Sequence, residues 1–424
     1  MDRQLYETYV QILKEELLPA MGCTEPVAVA YAAALARKAL GTLPEQVVIQ
    51  VSRNIVKNVK SVVVPNTGGM RGLEAAAAIG IVAGDADREL EVLSKVTQEQ
   101  IQETHAYMEK ASLTVEAAQS DLIFDICITV CSGEDSAAAR IVDSHTNVVM
   151  IRKNQEYFLN REIRGRKESS MADQSLLTIK DICEFAREVD IADVREVLDR
   201  QISCNMAIAR EGITHSYGAN IGRVLLCTYG EEDVKIRARA MAAAGSDARM
   251  NGCELPVVIN SGSGNQGITA SVPVIIYAQE LHSTQEELYR ALVVSNLSTL
   301  HIKAGIGRLS AYCGAVGAGC GAGAGIAWLH GGGYEEVSHT LVNGLAIISG
   351  TICDGAKASC AAKIAAAVDA GILGYSMYKE GQQFLGGDGI VKKGVENTIK
   401  CVGLLASEGM QETDKEIVRI MIGE

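Results

Sequence analysis

The sequence predicts an α+β protein with an N-terminal helical segment, an α+β domain and a large all-helical C-terminal domain. Three observations predict it. Alternating, β-branched runs are confined to residues 46–152. From about residue 165 those signals fade, and helical apolar spacing with Ala-rich stretches runs to the end. Ahead of both, an amphipathic stretch opens the chain.

The opening stretch, 3–18, carries Tyr6, Tyr9, Val10, Leu13 and Leu17 at helical spacing, and Pro19 ends it. Met21-Gly22-Cys23-Thr24-Glu25-Pro26 follows. It leads into an Ala-rich helix to about Leu40, with Thr24 as N-cap, Pro26 in the first turn and Gly41 as the stop. Residues 46–52 and 62–65 predict strands, and Pro65-Asn66-Thr67-Gly68-Gly69 a turn. Residues 71–83 and 86–111 predict helices, and 112–118, 121–131 and 137–152 predict strands. Beyond the polar linker 160–174, helices are expected over 175–212, 231–245, 265–281, 284–300, 334–349, 355–370 and 395–408. The expected units are 1–45, carrying Cys23, then 46–160, then 165–424.

Composition narrows the function. Of 424 residues 42 are Gly, only 6 are Pro and 4% are aromatic, so small residues must pack helices closely. A formal net charge of -13 with no basic stripe argues against nucleic-acid binding, which rests on Lys and Arg neutralising phosphates. The polar start Met1-Asp2-Arg3-Gln4 does not open a signal peptide, and the nearest apolar run, 314–329, is too short for a membrane span. A cytoplasmic protein is the expectation, with reduced thiols and, by default, a homodimer.

Twelve cysteines then need a reason. Cys127, Cys131, Cys183, Cys227 and Cys401 have apolar neighbours and read as buried structural thiols. Cys313-x6-Cys320 and Cys353-x6-Cys360 are different, because small residues between the thiols let backbone approach a bulky group. They fit soft-metal or cluster ligation, or tight helix crossings with no metal. Cys23 precedes a helix N-terminus, which favours thiolate, while Glu25 opposes it.

Asn260-Ser261-Gly262-Ser263-Gly264-Asn265-Gln266-Gly267, before an apolar helix, suits a carboxylate or phosphate, and it equally suits a tight polar turn. The Thr67–Arg71 turn could grip a carboxylate or simply link a strand to a helix. Gly317, Gly319 and Ala322 satisfy a dinucleotide pattern but lack the preceding strand it requires. His301, His330 and His339 read as structural.

Together, Met21–Pro26, Ser261–Gly267, Tyr312-Cys313-Gly314-Ala315 and Ile352-Cys353-Asp354-Gly355-Ala356-Lys357 resemble the L-cysteine desulfidase family, which is related to the alpha chain of iron–sulfur L-serine dehydratases. The resemblance runs over nearly the whole chain. It implies a 4Fe-4S cluster on Cys313, Cys353 and Cys360, and a catalytic role for Cys23 as base or transient fourth ligand. It implies a lyase that releases sulfide and ammonia from L-cysteine to give pyruvate, without pyridoxal phosphate. Thr67, Arg71, Ser261, Ser263 and Asn265 are the candidate substrate contacts. L-serine dehydration at the same site is the first alternative, and a non-catalytic cluster-binding protein the second. Cys320 is not carried over.

Overall fold

The computed structural model describes residues 1–21, 24–120, 122–163, 172–307 and 310–422. The periodic apolar residues Tyr9, Ile12 and Leu13 bury one face of α1 (Arg3–Glu16), and the Asp2 carboxylate caps it at the amides of Gln4 and Leu5. A short strand, β1 (Pro19–Met21), leads towards α2 (Thr24–Leu40). Gly41, at φ +90, ends that helix, a backbone angle that side chains resist.

The α+β layer follows: β2 (Gln46–Val51), α3 (Arg53–Val59), α4 (Gly72–Ala83), α5 (Gln98–Lys110), β3 (Ser112–Ala117), β4 (Asp125–Ser132), β5 (Asp135–Val142), β6 (Val148–Lys153) and β7 (Glu156–Asn160). The sheet order is β3-β2-β4-β5-β6-β7. β2 and β3 run parallel, as the helical crossover between them requires, and the other pairs are antiparallel. Val47, Ile49 and Val51 alternate inward, and with Ile126, Ile128 and Val130 they pack beneath α2 and α4.

The helical layer comprises α6 (Ile179–Glu188), α7 (Ile191–Thr214), α8 (Ile221–Tyr229), α9 (Val234–Met250), β8 (Pro256–Val258), α10 (Gly264–Glu280), α11 (Gln285–Ile306), α12 (Gly314–Leu329), α13 (Tyr334–Ile348), α14 (Cys360–Lys379), α15 (Val395–Leu404) and α16 (Gln411–Ile422). α12 is apolar all round and buried from Ala315 to Ala327, surrounded by α10, α11, α13 and α14. Its glycines allow this. A Cβ at Gly319 would fall 2.4 Å from the Ala367 backbone, and one at Gly323 2.4 Å from the Gly371 carbonyl.

The opening 45 residues serve both layers. Tyr9, Ile12, Leu13 and Leu17 join the helical core, and β1 pairs antiparallel with β8, whereas α2 covers the sheet.

Several local expectations change. The helix over 86–111 is a 3-10 turn, Ala86–Glu91, and the separate α5; Glu89 has φ 49, and Thr97 with Gln100 forms a capping box that starts the second helix. The strand over 137–152 is a hairpin of β5 and β6, turned at Asp143 with φ 63. Residues 62–65 make only a single bridge, Val63 to Arg71. The helix over 175–212 breaks at the Asp190 cap into α6 and α7. Of the five cysteines read as buried, Cys183 is buried, Cys127, Cys131 and Cys401 are partly exposed, and Cys227 is exposed on α8. Residues 164–171 of the proposed linker lie outside the described residues.

Among the described residues one helix, α14, is long and apolar enough to cross a membrane, and half of that stretch is buried inside the protein.

Candidate active site

The site begins with a two-stranded clip. Tyr312 and Ile352 form an antiparallel bridge; Cys313 N–H donates to Thr351 O (3.0 Å) and Cys353 N–H to Ala311 O (2.5 Å). In such a pair, residues on either side of the bridge project to one common face. Cys313 and Cys353 are therefore brought together although forty positions separate them in sequence. Cys313 then becomes the N-cap of α12.

The third thiol arrives through a tight loop. Gly355, at φ +91, packs so closely on α3 that a Cβ there would lie 1.8 Å from Lys57 O. Ala356 N–H donates to the same carbonyl (3.2 Å). The chain then turns into α14 at Cys360, whose Sγ lies 3.5 Å from Gly355 O. Only a glycine can make that contact with that dihedral.

The electrostatics follow from the crowding. The Cys313 thiol donates to Cys353, which holds Cys353 below the ordinary thiol range against the effect of burial; Lys57 and Lys303 add to this. The same hydrogen bond, with burial, pushes Cys313 up, and burial pushes Cys360 up. Burial in turn lowers Lys303, opposed by the charges of Cys353 and Cys313. Asp354 is held below the usual carboxylate range despite its burial, because Lys357 and Lys363 both contact it. The thiols thus sit among cations.

Among the described residues no three Cys, His, Asp or Glu side chains stand at the spacing of a single metal ion. The three thiols nevertheless interact with one another. Three soft thiol donors among cations are the chemistry that an iron–sulfur cluster takes. The residues fit the group that the resemblance implies. Cys320 stands apart: it is fully buried within α12, and a Cβ at Gly344 would lie 2.9 Å from its sulfur.

The polar loop adjoins the clip. Asn260 and Ser263 exchange backbone hydrogen bonds of 3.1 and 3.0 Å, which closes the loop, and Ser261 takes φ 52 while its hydroxyl donates to Asn260 Oδ1 (2.8 Å). Ser263 caps α10 by accepting from Gln266 N–H (3.4 Å). Asn265 Oδ1 accepts from Arg249 Nη1 (3.4 Å). A Cβ at Gly314, next to Cys313, would fall 2.6 Å from the Gln266 carboxamide, so the loop and the clip touch.

The Thr67–Arg71 turn leads into α4. Thr67 is buried and its hydroxyl donates to Val64 O (2.6 Å), so this hydroxyl shapes the turn. Arg71 is exposed and reaches Asn251 Oδ1 (3.2 Å), just beyond α9, the helix that carries Arg249. Cys23 lies outside the described residues. Of its flanks, β1 is paired to β8, the strand that runs into the polar loop, and α2 starts at Thr24.

Sequence reasoning missed Lys57 and Arg249 near the site, and it placed Gln266 in the polar loop without singling it out. Lys57 had a signal, a lone cation inside the apolar run Ile55-Val56-Lys57-Asn58-Val59. Arg249 had none. The histidines behave as structural residues: His301 pairs with Glu396 (2.7 Å), His330 stacks on Tyr375 and His339 on Tyr378. The glycines of the dinucleotide pattern lie inside α12 with no strand before them.

Cys313 at the start of α12, Cys353 on the clip and Cys360 at the start of α14 thus gather among lysines, with the polar loop against Gly314. Residues 87–419 match the serine dehydratase alpha chain family. The chain is 62% identical to a UPF0597 protein of Desulfitobacterium hafniense, over all of this chain and 99% of the relative. It is 50% identical to a UPF0597 protein of Lachnoclostridium phytofermentans, over 99% and 100%, and 45% identical to one of Treponema denticola, over 100% and 99%. The chain belongs to the serine dehydratase alpha chain family, a lyase-type family associated with iron–sulfur clusters.

Proposed function

We propose that this protein is an L-cysteine desulfidase, a carbon–sulfur lyase that works without pyridoxal phosphate and uses a 4Fe-4S cluster held by Cys313, Cys353 and Cys360. The observation that carries the reading is the convergence of these thiols on the clip and the loop, amid Lys57, Lys303, Lys357 and Lys363. When bound, a cluster with only three protein thiolates supplies an open iron that acts as a Lewis acid.

The chain's own residues supply the remaining chemistry. Ser261, Ser263 and Asn265, at the start of α10, face a substrate carboxylate with the positive end of a helix behind them. Arg71, which reaches Asn251 at the end of α9, adds a positive charge. Cys23 is assigned the α-proton base, on the resemblance alone. Loss of that proton from Cα with departure of sulfide from Cβ leaves aminoacrylate, which tautomerises to the imine and hydrolyses to pyruvate and ammonia.

L-serine is the second reading, favoured by the description of the family to which the chain belongs. Only the leaving group differs. The test is anaerobic reconstitution with iron and sulfide, removal of excess sulfide, and assay of pyruvate and sulfide from L-cysteine and pyruvate from L-serine. Faster turnover of L-cysteine, lost in Cys353→Ala, supports the desulfidase. Preference for L-serine replaces it with the dehydratase, and iron uptake without either activity leaves a non-catalytic cluster protein.

A further inference from the structure

Two polar atoms of opposite hydrogen-bonding sense are buried without a partner at the start of α10. Gln266 Oε1 is an acceptor and Arg249 Nε a donor. Gln266 is only 7% exposed. Such orphans are costly in a folded protein, and in a native structure each calls for a reason.

Their positions supply the reason. The Gln266 carboxamide lies against Gly314, the residue after Cys313: a Cβ there would be 2.6 Å from its Cδ and 2.8 Å from its Oε1. The Arg249 guanidinium lies against Gly264: a Cβ there would be 2.4 Å from Nε. Two glycines thus leave room for the two groups, and any side chain at either place would displace them. Arg249 Nη1 also donates to Asn265 Oδ1 (3.4 Å). The backbone of Gln266 is fixed by the Ser263 cap.

An α-amino acid carries a donor, its ammonium, and an acceptor, its carboxylate, on one carbon. We infer that Gln266 and Arg249 form the head-group site for the amino acid, with Gln266 Oε1 accepting from the ammonium and Arg249 Nε donating to the carboxylate. This rests on the amino-acid lyase reading above and extends it. The head group is held by α9 and α10, and the β-substituent is directed towards the thiols beside Gly314. Both residues are substrate contacts, distinct from the hydroxyls of Ser261 and Ser263.

The test uses reconstituted protein and equilibrium binding by calorimetry, with L-alanine, propionate and ethylamine as probes, none of which carries a leaving group. Wild type is expected to bind L-alanine at least about tenfold more tightly than either fragment, since a site built for both groups loses a buried hydrogen bond with each omission. Gln266→Met should weaken L-alanine and spare propionate; Arg249→Gln should weaken L-alanine and propionate and spare ethylamine. Gln266→Glu, which keeps an acceptor, should retain L-alanine binding and guards against a folding artefact. Wild type that binds L-alanine while Gln266→Met binds it equally well overturns this assignment and leaves the lyase reading intact. Wild type that, after full iron uptake, does not bind L-alanine and turns over neither L-cysteine nor L-serine overturns both.

Discussion

Lys57 Nζ and Asp414 Oδ1 lie 2.5 Å apart, both nearly buried, and tie α3 of the sheet layer to the last helix, α16. The same Lys57 receives the Ala356 amide through its carbonyl and stands beside Cys353 through its charge. One residue therefore links the two layers and braces the thiol loop. Removing one partner of a buried pair leaves an uncompensated charge. Lys57→Met is expected to cost about 3–5 kcal/mol in urea unfolding. Lys57→Met with Asp414→Leu should recover most of that stability. A single mutant as stable as wild type would show that the pair contributes nothing.

Gly355 gives a cleaner probe of the loop, since it carries no ligand atom. At φ +91, with Lys57 O where a Cβ would go, Gly355→Ala must move the loop. The expected result is loss of most iron uptake on reconstitution, with far-ultraviolet circular dichroism unchanged. Normal iron content in this variant would separate the loop geometry from the site.

Cys320 tests the ligand set from the other side. Its thiol is fully buried in α12, and burial raises it to about 12, the signature of a packing cysteine. Cys320→Ala should cost on the order of 1 kcal/mol by leaving a small void, and it should take up as much iron as wild type. Iron loss in this variant would make Cys320 a ligand.

Asp247 predicts a pH dependence. It is fully buried, Oδ2 accepts from Gly222 N–H (3.1 Å), Oδ1 has no partner, and burial raises its carboxyl to about 6 from an unfolded value of 3.8. The folded state thus holds a proton that the unfolded chain releases. This contribution is full below 3.8 and is lost as pH rises towards about 6, a swing of about 3 kcal/mol. Asp247→Asn should flatten stability against pH between those limits, measured by denaturant unfolding in a buffer series. An unchanged slope would mean that other groups set it.

Much of this was legible in the sequence where local signals agree with the tertiary outcome. Tyr9, Leu13 and Leu17 announce α1, and Val47, Ile49 and Val51 announce β2. The capping box at Thr97 and Gln100 was present in the sequence but hidden inside an apparently continuous helical pattern. The β5–β6 turn has no glycine, only Asp143 in the left-handed region, so the hairpin read as one strand. The exposed Cys227 belongs to α8, a short helix of which Gly222 alone is buried, so apolar sequence neighbours do not bury the thiol. At the site, the small residues around Cys313 and Cys353 marked a special environment. Their pairing depends on a bridge between distant segments, and the roles of Lys57, Arg249 and Gln266 depend on packing between layers. No local pattern encodes these contacts.

The proposed iron–sulfur cluster rests on Cys313, Cys353 and Cys360. It is tested most directly by iron and acid-labile sulfide content after anaerobic reconstitution, comparing wild type with Cys313→Ala, Cys353→Ala and Cys360→Ala, and with Cys320→Ala as control. Wild type and the control are expected to hold equal iron and sulfide, and the other three to lose both. Undiminished iron and sulfide in any of those three, or none in wild type, would contradict it.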